Sequence, residues 1–182
     1  MGPTQVNGLP AHVLIVHFVV VGIPLAAGTL VAAALWPAAR RRLGVATPVV
    51  ALLALVSVPL ATHAGEWLQE RVGRDPLVQR HAELGDTLLP WAIGLFVVAA
   101  AVWSLDRVAA RGRVPVGAGG PQGAPEAPRS ALTGTPVRTV LAVLALVVAV
   151  GSVVQVYRIG DSGSKAAWHD KVSSSSGPGD GD

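Results

Sequence analysis

The chain has no cysteine, so metal or cofactor chemistry falls to its five histidines and to carboxylates. His12 and His17 stand at the head of a run otherwise fit for hydrocarbon, LPAHVLIVHFVVVGIPLAAGTLVAAALW. An imidazole in hydrocarbon is costly without a partner, which makes such a residue a candidate ligand or a helix-to-helix hydrogen bond. On a continuous helix His17 lies about 7.5 Å deeper than His12 and about 140° around from it, so the two do not point at one ligand. His63 is followed at helical spacing by Glu66 and Trp67, and His81 by Glu83 and Asp86. Two neutral imidazoles from different helices would hold a b-type haem, which makes His17, His63 and His81 the cofactor-binding candidates. A zinc or copper site would draw on three or four ligands from His12, His17, His63, Glu66 and His81. Glu66 or Asp86 would then fix an imidazole tautomer from behind. The cofactor-free alternative uses the same residues differently. His12 and Trp67 are then interfacial groups, and His17 and His63 bond between helices.

The elements that must position these residues are apolar blocks. The 182 residues are 51% hydrophobic and 14% charged, with a mean hydropathy of +0.53. A soluble domain usually carries about 25% charged residues. Four blocks are long enough to cross a bilayer, at about residues 13–36, 46–65, 85–105 and 137–157. The first continues well beyond the length of a signal-peptide core, so it reads as a span. Pro48 suits a helix start, while Pro24 and Pro59 fall inside helices and should bend them. Together the blocks predict an all-α integral membrane four-helix bundle over residues 9–170. A Gly/Pro/Ala linker at 112–135 and a polar tail at 173–182 read as disordered.

Direction follows from the arginines. Arg40, Arg41 and Arg42 lie between the first two spans, and Arg107, Arg111, Arg113, Arg129 and Arg138 lie around the third connection. The second connection is acidic, with Glu66, Glu70, Asp75, Glu83 and Asp86 against three arginines. Positive-inside counting puts the basic loops in the cytoplasm of a plasma-membrane protein and both termini outside. All five histidines then fall at the outer face. Ser57, Thr62 and Thr87 can bond a preceding carbonyl, Gln155 either lines a pocket or, the preferred reading, bonds a backbone carbonyl, and Arg158 and Asp161 are close enough along the chain to pair.

Several residues carry a resemblance to a family. Leu9, Pro10, His12, His17 and Phe18 open the first span; His81 with Glu83 precedes the third; Tyr157, Arg158 and Gly160 follow the last, before Trp168 and His169. This pattern resembles the bacterial membrane family known as domain of unknown function 2231, over roughly residues 9–170. The long third linker departs from it, as does Val19, where proline is common. The resemblance implies a four-helix membrane bundle and a haem-related or redox role. It supports the choice of histidines and supplies no reaction.

The resulting expectation is a haem b- or metal-binding electron-transfer module in the lipid bilayer, serving a membrane redox partner or a homo-oligomer. The alternative is a cofactor-free structural or accessory protein for a partner complex. The chain has no long basic patch for nucleic acid, no nucleotide-binding loop and no channel filter sequence.

Overall fold

A computed structural model describes the backbone of residues 5–6, 9–72, 75–111 and 134–174, and the side chains of 14–66, 75–111 and 134–168. Most of the expected linker and tail lies outside the described residues, as do the side chains of His12, Trp67 and His169. A short antiparallel pair, β1 (Gln5–Val6) and β2 (Leu9–Pro10), precedes six helices. These are α1 (Ala11–Leu35), α2 (Pro37–Leu43), α3 (Ala46–Val72), α4 (Pro76–Asp86), α5 (Leu88–Arg111) and α6 (Thr135–Ser174). Proline marks their starts: Pro37, Pro48, Pro76, Pro90 and Pro136 each fall within the first three residues of a helix. There the missing N–H deprives no intrahelical acceptor.

Four segments are long and apolar enough to span a membrane: Leu14–Leu35, Ala46–Glu66, Pro76–Arg111 (α4 with α5) and Thr135–Trp168. They pack in a ring, α1 against α3 and α6, with α5 closing it against the same two helices. The inward face of each helix recurs in steps of three and four. It is Val19, Ile23, Ala26, Leu30 and Ala33 on α1, and Thr47, Ala51, Ala54, Val58 and Ala61 on α3. On α5 it is Leu88, Ala92, Leu95, Ala99 and Val102, and on α6 Ala145, Ala149, Ser152 and Val156. That average step of about 3.5 suits a left-handed bundle. Alanine dominates these faces, while Phe18, Leu25, Leu53, Val147 and Val150 point outward. Large apolar groups outside and small ones inside is the packing of helices in lipid, where close backbone approach replaces the hydrophobic drive. Gly151 gives the Trp91 ring a seat on α6, since a Cβ there would run into the indole.

Thr29, Ser57, Thr62 and Ser152 spend their hydroxyls on carbonyls three or four residues back. The third span, expected at about 85–105, is α5 from Leu88, with α4 ending just before it at Asp86. One expectation is corrected. Asp161 pairs with Lys165 one turn on, at 2.7 Å, rather than with Arg158. The last helix also continues past residue 157. Its 40 residues rise about 60 Å, twice the hydrocarbon thickness. The extension is what α4 packs against.

Candidate functional site

Because the chain alternates direction, the α2 arginines and the C-terminus of α5 share one end of the bundle, and α4 caps the other. The α4 end is acidic. Its geometry starts from the helix break. Pro90 has no N–H to continue the ladder, and its ring disfavours a helical carbonyl four residues earlier. The chain kinks at Thr87, whose hydroxyl donates to the Leu84 carbonyl at 2.6 Å. Gln155, 6% exposed on α6, donates from Nε2 to that same carbonyl at 3.2 Å and to Thr87 Oγ1. Gln155 therefore bonds a backbone carbonyl, as expected, and the carbonyl is the one at the break.

Three residues before Leu84, His81 faces α6. Its Nδ1 lies 3.1 Å from the Ile159 carbonyl and 3.0 Å from Ser162 Oγ. Ser162 donates its own proton to the Ile159 carbonyl at 2.8 Å. Both neighbours of Nδ1 are thus acceptors, so the proton sits on Nδ1, and in the neutral ring the lone pair is on Nε2. Gly163 makes room for the ring: a Cβ there would come within 3.0 Å of His81 Cε1.

Beneath α4 these elements border a half-open chamber of about 870 Å³. Val16, Val19, Val58, Ala61, Leu88 and Ile159 give it apolar walls. Thr62, Glu66, Asp75, His81, Glu83 and Asp86 line the rest. Asp75 caps α4, accepting from the Leu77 amide at 2.7 Å, which fixes the helix over the opening. Glu66, Glu83 and Asp86 are exposed. The chamber is an apolar pocket with an acidic mouth and one oriented imidazole, the usual make-up of a ligand site.

The candidate histidines occupy different settings. His81 lines the chamber, and among the described residues no second histidine does. His17 is exposed and lines a separate groove between α1 and α3 with Phe18, Val21, Leu25 and Leu53. His63 is 91% exposed, its Nδ1 3.5 Å from Glu66 Oε2. The register explains both: each sits two residues, about 200°, from an inward position, His17 from Val19 and His63 from Ala61. Of the five metal candidates, Glu66 and His81 share the chamber, His17 and His63 do not line it, and the His12 side chain is outside the described set. Among the described residues no three His, Asp or Glu side chains stand close enough to hold a metal ion.

The residues that sequence reasoning passed over are at the basic end. Arg40 donates from Nε to the Ala33 carbonyl at 2.7 Å and from Nη2 to the Ala34 carbonyl at 2.6 Å. Its Nη1 lies 3.5 Å from Asp106 Oδ1 on α5. Pro37 is the cause, because the Ala33 carbonyl would otherwise accept from the amide of residue 37. The signal was a proline at a span exit followed three residues later by an arginine.

The model of a family described as "Predicted membrane protein (DUF2231)" matches residues 8–176, and the chain belongs to that family. No curated protein and no solved structure matches it.

Proposed function

We propose, taking that membership as the premise, that this membrane protein is a ligand-binding module whose site is the chamber beneath α4. The observation that carries the reading is the chamber itself, about 870 Å³ of half-open, apolar-walled space with carboxylates and His81 at its edge. Such a lining suits a ligand with an apolar body and a cationic or metal-bearing head. The walls take the body, and Glu66, Glu83 and Asp86 attract the positive charge. His81, held against α6 through Nδ1, is the imidazole that a metal or the cationic head would meet. With the acidic end outside, as the arginine distribution implies, the ligand enters from the extracytoplasmic side.

The redox version is a b-type haem or metal bound there, with electrons passed to a membrane partner. Haem would be held by His81, and its propionates would meet the acidic mouth, which opposes it. A cationic or metal-bearing ligand has no such conflict.

An absorption spectrum of the detergent-purified protein before and after dithionite, with metal analysis and titration with tetraphenylphosphonium, tests these versions together. The expected result is saturable binding of the hydrophobic cation, weakened about tenfold in Glu83→Gln/Asp86→Asn. A stoichiometric Soret band that sharpens on reduction would replace the cation with haem. Bound metal lost in His81→Ala would point to the metal version.

A second reading has its own observation. His81 and Gln155 are both engaged in hydrogen bonds between helices. In a cofactor-free accessory bundle that is their whole role. Absence of cation binding, chromophore and metal would establish it over the first reading.

A further inference from the structure

A second cavity, about 380 Å³, lies at the basic end between α2, the start of α3 and the end of α5. Two residues of its lining carry buried donors that are unused. Thr47 is 2% exposed, and its Oγ1 has no hydrogen-bond partner among the described residues; nor does the buried Nε1 of Trp103. Both are anomalies in this bundle. Thr29, Ser57, Thr62 and Ser152 all reach a carbonyl of their own helix. Thr47, in the first turn of α3, has no helical carbonyl one turn back to reach. A buried hydroxyl or indole N–H without an acceptor costs about 1–3 kcal/mol, so this pair asks for one.

The charge around the cavity says what kind of acceptor. Arg41, Arg107 and Arg138 line the same space. Arg107 is held over the Trp103 ring, its Cζ 5.1 Å from the centroid, which keeps the guanidinium at the cavity edge. The one carboxylate of the lining, Asp106, is engaged by Arg40. The positive end of the α3 dipole adds to the field. Among the described residues a ligand here meets donors and cations and no uncommitted anion. It must be anionic and rich in acceptors.

We propose that this cavity binds a phosphate group, with Thr47 Oγ1 and Trp103 Nε1 as neutral donors and Arg41, Arg107 and Arg138 as the charged ones. Two sources share that chemistry, an anionic lipid headgroup and free phosphate. Trp36, 66% exposed at this end of α1, sits where an aromatic side chain marks the membrane interface, so a headgroup reaches the site without leaving its leaflet.

The test uses the full chain in nanodiscs. In phosphatidylcholine discs, inorganic phosphate is titrated against the thermal midpoint. From mixed phosphatidylglycerol and phosphatidylcholine discs, retained lipid is counted by native mass spectrometry. A phosphate-dependent rise in midpoint, phosphatidylglycerol retained over phosphatidylcholine, or both, supports the site; which arm responds identifies the source. Arg41→Gln and Arg138→Gln should each weaken binding about fivefold. Thr47→Val keeps every charge and nearly the same shape. It should raise the ligand-free midpoint and weaken binding about fivefold. Response to neither probe overturns the proposal, and so does binding unchanged in Thr47→Val and Arg138→Gln.

Discussion

At each end of the bundle a proline removes a backbone donor, and the repair differs. At the basic end Pro37 leaves the Ala33 carbonyl without its amide, and Arg40 fills it, takes the Ala34 carbonyl as well and reaches Asp106. At the acidic end Pro90 has no amide for the Asp86 carbonyl, and the break is bridged just before it by neutral groups, Gln155 and the Thr87 hydroxyl sharing the Leu84 carbonyl. A charged donor serving three acceptors is stronger than neutral bonds. The basic end is therefore a fixed clamp across α1, α2 and α5. The acidic end is held by weaker links at its rim, which leaves the chamber under α4 open to a ligand. The contrast predicts where the molecule opens first: at α4, not at α2.

The largest expected effect tests the clamp. Arg40→Leu removes two charge-assisted bonds to carbonyls and leaves Asp106, 33% exposed, without its cation. A loss of about 3 kcal/mol is expected in denaturant titration in detergent. Arg40→Lys should recover less than half of it, because an ammonium cannot reproduce the guanidinium fork. If Arg40→Leu unfolds like the parent, the two ends are not different in kind. Gln155→Leu comes next, at about 1 kcal/mol, since interhelical hydrogen bonds in membranes are worth about that or less. Its signature is local: amide exchange should rise across 84–88 and stay unchanged at α2. Uniform loosening of both ends would contradict the comparison.

His81→Ala and Gly163→Ala address the same rim from its two sides. The first deletes the imidazole that ties α4 to Ile159 and Ser162. The second puts a Cβ 3.0 Å from that ring, which must give by a few tenths of an ångström. Each should cost about 1 kcal/mol and speed exchange in α4. The pair should be less than additive, because with no ring the three nearest contacts of the new methyl are gone.

The spans were legible because they rest on local information: apolar runs, first-turn prolines and the sign of the loops. The inward faces were legible too. The three-and-four stripe of Ala26, Ala33, Ala51, Ala54 and Ala61 places His17 and His63 off the interior. Reading chemistry from residue type alone gave those two histidines the same weight as His81. The break at Thr87 was less visible, since Pro90 also suits the first turn of a helix that starts a few residues earlier. What only the fold supplies is pairing across 70 or more residues: His81 with Ile159, Gln155 with Leu84. Arg40 with Asp106 is of the same kind. These depend on the relative rotation of packed helices, which no single segment encodes.

The smallest effect is expected at His63, and it sharpens the comparison most economically. With its side chain 91% exposed and a carboxylate at 3.5 Å, His63→Ala should change stability by less than about 0.5 kcal/mol. It should also leave ligand binding in the chamber unchanged, where His81→Ala does not. That double result separates the two outer imidazoles by setting rather than by chemistry, since the rings are identical and both have an oxygen within reach. Loss of ligand in His63→Ala would mean that α3 rotates when the chamber is filled. That outcome would move the functional end from α4 to the α3 terminus.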